Sequence, residues 1–81
     1  QIGCVLKETQ VVNIAILDVN EKNGFSIFNG KLDEGEQIFK VDFNEIKNGN
    51  YYLSVSTDKQ QILRKITIKN WNLEFQYWSF L

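Results

Sequence analysis

Apolar side chains fall at every second position through most of the chain, the spacing of strands that bury one face. Ile2, Cys4 and Leu6 alternate with Gly3, Val5 and Lys7 up to the polar break Glu8-Thr9-Gln10. From Val11 to Val19 both sets are apolar, Val12, Ile14 and Ile16 on one side and Ala15, Leu17 and Val19 on the other, which predicts a strand covered on both faces. Asn20 to Gly24 is turn chemistry, because Asn-Gly takes positive φ at little cost. Phe25 to Leu32 reads as a strand interrupted at Asn29-Gly30, and Asp33-Glu34-Gly35 turns the chain again. Gln37, Phe39, Val41 and Phe43 then alternate with Ile38, Lys40 and Asp42.

The segment Asn44 to Gly49 is too short for an independent helix. It predicts a single helical turn that ends at Gly49 and plugs one end of the core with Ile46. Beyond it Tyr51, Leu53 and Val55 face one way and Tyr52, Ser54 and Ser56 the other. Asp58-Lys59-Gln60 reverses the chain, and Gln61 to Lys69 returns with Ile62, Ile66 and Ile68 opposite Lys65 and Thr67, Arg64 being the odd member. In the tail, Trp71, Leu73, Phe75 and Tyr77 alternate with Asn72, Glu74 and Gln76 until the period fails at Trp78, Phe80 and Leu81. Strands at intervals of roughly 8–12 residues with turn signals between them predict an all-β, antiparallel sandwich of about six to seven strands.

Composition narrows this picture. With 81 residues, 43% of them hydrophobic, the chain builds one small core. Residues 1–69 are expected to form the sandwich, and residues 70–81 an aromatic tail that adds a strand or docks elsewhere. A formal net charge of -1 supplies no basic stripe, which argues against a nucleic-acid partner. No apolar run is long enough for a transmembrane segment, and there is no charged-then-apolar signal peptide; with Gln as residue 1 the chain reads as a processed product or an excised piece, which leaves export open. Gly3-Cys4 is faintly like the end of a lipoprotein signal, but without a preceding apolar segment Cys4 reads as a semi-buried strand residue. As the one cysteine it forms no internal disulfide.

Candidate chemistry is sparse. The chain has no histidine, which removes the usual general base and the commonest metal ligand. Asp33, Glu34 and Glu36 lack the spacing of a calcium loop. Ser54 and Ser56 have no base beside them, and no glycine-rich loop cradles a phosphate. No catalytic residue, cofactor or metal is expected. What stands out is the aromatic density of the tail. Burial of Trp71 and Phe75 against a sheet would supply about 2–3 kcal/mol each. Burial is the preferred reading for Trp71 and Phe75, whereas Tyr77, Trp78 and Phe80 cannot all enter one core once the period breaks; the candidate partner residues are these three together with Trp71 and Phe75. A sugar-stacking platform using Trp71 and Trp78 is a weaker fit, because few polar groups flank them.

The succession VNIAILDVN, GFSIFNGKLDEGEQIFKVDF, NEIKNG, YYLSVST and LRKITI resembles the C-terminal sorting domain of bacterial type IX secretion substrates, an Ig-like β-sandwich. The Ig-like domain of the flagellar hook-capping protein is similar. The family's elements fall on Val12 to Asp18, Asn23-Gly24, Gly30 to Phe43, Ile46 to Tyr51 and Arg64 to Ile68, so the resemblance runs from Ile2 to Lys69. Through it, Ile46, Gly49 and Tyr51 are read as a fold-closing corner, the Tyr51 ring entering the core while its hydroxyl reaches a backbone group. Family members usually open with a proline-bearing extended segment, and this chain has no proline. That strand is therefore expected upstream of Gln1, or replaced by the tail. The resemblance implies a non-catalytic, secreted module at the extracellular or outer-membrane surface of a bacterium, recognised by a translocon and removed or linked to lipopolysaccharide after export. The rival is a structural subunit of a larger extracellular or membrane-associated complex, docked through the tail or an open sheet edge.

Overall fold

Seven strands follow one another in the computed structural model: β1 (Ile2–Leu6), β2 (Gln10–Leu17), β3 (Gly24–Leu32), β4 (Gly35–Phe39), β5 (Gly49–Ser56), β6 (Gln61–Ile68) and β7 (Tyr77–Phe80). The structure describes residues 1–20, 24–41, 46–69 and 77–81. The strands form a four-stranded sheet in the order β3-β2-β5-β6 and a three-stranded sheet in the order β4-β1-β7. All pairs are antiparallel except β1 with β7, which is parallel. The result is an Ig-like sandwich.

The period-two pattern decides which face each strand buries. Ile2, Cys4 and Leu6 of β1 point between the sheets and meet Val12, Ile14 and Ile16 of β2 in one core cluster. Leu53, Val55, Ile66 and Ile68 complete it from β5 and β6, while Leu32, Ile46 and Leu81 close its margins. Cys4, Val12 and Ile14 have no exposed surface at all. Transfer of such side chains out of water stabilises the fold by roughly 1.5–3 kcal/mol each for the larger ones.

The structure departs from the sequence pattern at four elements. β2 is buried on one face, not both: Val11 is 60% exposed and Ala15 and Leu17 are half-buried. Its second apolar set lies on the open face of the sheet, where Ala15 and Leu17 are half-covered by the cross-strand neighbours Ser54 and Tyr52 and, among the described residues, by no second layer. β3 runs unbroken through Asn29-Gly30. Its irregularity lies earlier, where Ile14 pairs with Phe28 but Ala15 with Ser26, leaving Ile27 as the extra residue of a β-bulge. β4 stops at Phe39, leaving Val41 half-buried outside any strand, with Asp42 and Phe43 outside the described residues. The helical turn expected over Asn44 to Gly49 is absent from its described part, where Ile46 to Asn48 form bends and coil. Ile46 itself is buried at the margin of the core, while Asn44 and Glu45 lie outside the described residues.

Two long-range connections place the surface described below. After β3, Gly35 adopts a φ of 104°, a left-handed conformation that favours glycine, and the chain crosses to the other sheet, where β4 pairs with β1. The Phe28 and Phe39 rings then face each other across the sheets, 5.1 Å apart between centroids. β7 lies along the other edge of β1. The Tyr77 amide donates to the Gln1 carbonyl at 3.0 Å, the Leu81 amide to the Val5 carbonyl at 2.8 Å and the Lys7 amide to the Leu81 carbonyl at 3.2 Å.

Candidate docking surface

The register of the three-stranded sheet sorts its side chains into two faces. Ile2 pairs with Phe39 on one side and Tyr77 on the other, and Cys4 with Gln37 and Ser79, so these residues share the core face. Gly3 pairs with Ile38 and Trp78, and Val5 with Glu36 and Phe80, which makes two rows across the outer face. Ile38 is 49% exposed and Phe80 70% exposed, while Val5 and Trp78 are half-buried. One flank of the sandwich thus presents an apolar strip where a solvated sheet face would ordinarily be polar.

Trp78 holds its place because residue 3 has no side chain. A β-carbon on Gly3 would sit 2.8 Å from Cδ2 of the indole and closer still to Cε3 and Cζ3. The ring therefore lies directly on the β1 backbone, which is why Gly3 is buried on an outer face. Aromatic cover of a strand glycine compensates for the side chain the glycine lacks.

The five tail aromatics separate into different environments. Tyr77 packs against the core, and burial raises its phenol above the ordinary range. Trp78 covers Gly3, and Phe80 projects into solvent. Trp71 and Phe75 lie outside the described residues. Of the two tryptophans considered for a sugar platform, Trp78 already has its ring against a backbone. Sequence reasoning missed Val5 and Ile38 as members of the strip. The signal was available in Ile38, an isoleucine on the polar side of the β4 alternation.

At the end of the sandwich, Ile46 is buried, Gly49 has a φ of 156°, and the Tyr51 hydroxyl donates to the Lys47 carbonyl at 2.7 Å. Tyr51 and Ile46, with Ile16, Asp18, Phe25 and Lys47, also line an open cleft of about 320 Å3. At the opposite end a second cleft of about 340 Å3 carries a solvent-exposed ion pair, Lys59 to Glu8 at 3.3 Å.

Ser54 is buried on the outer side of β5 and accepts a hydrogen bond from Gln61 Nε2 at 3.2 Å. Asp33, Glu34 and Glu36 are exposed, and among the described residues no group of acids and Cys4 could hold a metal ion. Cys4 is enclosed, and burial pushes its thiol up and away from the reactive thiolate. Among the described residues no helix is long and apolar enough to cross a membrane.

A family model described as the secretion system C-terminal sorting domain covers residues 2–69. No curated protein and no solved structure matches the chain.

Proposed function

The chain belongs to the family of secretion system C-terminal sorting domains, and from that premise we propose that the type IX outer-membrane translocon reads it through the outer face of the β4-β1-β7 sheet. The observation that carries this is the strip formed by Val5, Ile38, Trp78 and Phe80, two of whose members are largely exposed. Contiguous exposed apolar surface on a small domain marks a binding site. On the opposite face of the sandwich Val11 and Leu63 are exposed and Ala15, Leu17 and Tyr52 half-buried, interspersed with Asn13, Lys31 and Lys65.

In this reading the module is non-catalytic. It carries its fused protein to the extracellular or outer-membrane surface, where lipopolysaccharide linkage after processing retains it. Trp71 and Phe75 extend the same docking segment. The Ile46, Gly49 and Tyr51 corner closes the fold and takes no part in contact.

The test is secretion of a reporter fused to the chain in a bacterium with a type IX system. Phe80→Asp, at an exposed position, should leave thermal unfolding unchanged and cut secretion about tenfold or more, as loss of an interface anchor worth over 1 kcal/mol would. Lys65→Glu, on the other face, should leave secretion intact. Normal export of a folded Phe80→Asp protein would remove the proposed face. The second reading, a subunit of a larger assembly, is favoured by the same Phe80 and gains if the purified chain forms a stable complex while secretion is unaffected.

A further inference from the structure

The two edges of each sheet are not equivalent. β6 places Arg64 opposite Leu53 and carries Lys65 on its other side, so its charges share one sign. β3 bears the bulge at Ile27 and Lys31. β7 spans four residues and has no charge. Among the described residues β4 pairs only with β1; on its outward side it carries Glu36 and Ile38, and Lys40 follows in the same alternation one residue beyond its end. Glu36, Ile38 and Lys40 are all exposed.

Charges on an edge strand ordinarily prevent strand addition. Their effect reverses when opposite charges flank a central apolar residue at equal distances. If two β4 strands lie antiparallel with Ile38 against Ile38 of a second copy, residue 36 of each falls opposite residue 40 of the other. Glu36 then faces Lys40 twice, and the two isoleucines form an apolar cross-strand pair at the centre. The row Trp78-Gly3-Ile38 continues into its mirror, joining the two sheets into one of six strands.

We propose that β4 is a self-complementary edge through which two copies of this chain associate, in the register Ile38 on Ile38 and Glu36 on Lys40. The proposal does not depend on the sorting reading. A five-residue edge buries far less than the roughly 1,200 Å2 at which standard interfaces begin, so the dimer is weak and reversible. Such an association becomes effective where copies are concentrated at a surface.

Sedimentation of the chain from about 10 µM to about 1 mM tests it. The expected result is a monomer–dimer equilibrium. Glu36→Lys and Lys40→Glu should each weaken it about tenfold or more, because both symmetric pairs become like-charged. The double variant, and an equimolar mixture of the two single variants, should restore it. Phe80→Asp should leave it unchanged. A wild-type chain that stays monomeric throughout overturns the proposal. So does a dimer indifferent to the charge reversals, a failure of both the double variant and the mixture to restore association, or a dimer abolished by Phe80→Asp, which would place the contact on the sheet face.

Discussion

Gly3 is the residue on which the outer strip depends. The indole of Trp78 occupies the space where any β-carbon would go, and the clash is with the body of the ring, not a flexible end. Gly3→Ala must therefore displace Trp78 or push β7 away from β1. Forcing a methyl into packed space costs typically about 1–3 kcal/mol, and the reduced freedom of the unfolded chain returns at most about 1 kcal/mol. A net loss is expected, read as a lower urea midpoint together with a shift in tryptophan emission as the indole gains solvent. An unchanged midpoint would show that the ring has room to move. The Trp78→Ala chain provides the complementary reading: in that background Gly3→Ala should be close to neutral.

Among the elements, β5 and β6 were legible in the sequence, because alternation reports a strand's own exposure and they bury one face at Leu53, Val55, Ile66 and Ile68, whereas β2 was legible as a strand but not in its exposure, its second apolar set reading as a covered face that the structure leaves open. Pairing was not legible. That β4 joins β1 and leaves β3 depends on a turn that crosses between sheets, and that β7 runs parallel to β1 depends on contacts between the two ends of the chain. Neither leaves a local periodicity. The broken period at Trp78 and Phe80 was legible as an anomaly, but its meaning was not: β7 puts Tyr77 and Ser79 inward and the other two outward, a normal alternation that only the register on β1 reveals. β7 also closes the core, since Leu81 is buried and Ser79 sits beside Cys4. A chain ending at Lys69 should consequently lose cooperative unfolding or melt well below the full chain, and its Cys4 should react with a thiol reagent under native conditions. A truncated chain with the full melting temperature and a protected Cys4 would show that the six-strand remainder is self-sufficient.

At the scale of the whole molecule, stability is small and rests on the core. A chain of this length has about 4–12 kcal/mol to lose, and with its single cysteine free it has no internal disulfide to reinforce it. Along the β1–β7 seam burial raises Cys4 and Tyr77 above their ordinary values of 9.0 and 10.0. Each is held in its neutral, protonated form by the fold. Below the unfolded value neither state is ionised, and the contribution is fully present. As pH rises past that value the unfolded chain releases its proton while the folded chain keeps it, so stability falls until the folded group also ionises. Cys4 comes first. Urea unfolding measured from about pH 7 to about pH 10 should show a midpoint that is level at neutral pH and declines through the alkaline end. Cys4→Ala should lower the neutral plateau through lost packing yet flatten the early part of the alkaline decline, leaving the later part to Tyr77. An identical slope in the variant would mean that the thiol ionises as freely in the folded protein as in the unfolded chain, which a side chain with no exposed surface beneath β7 does not permit.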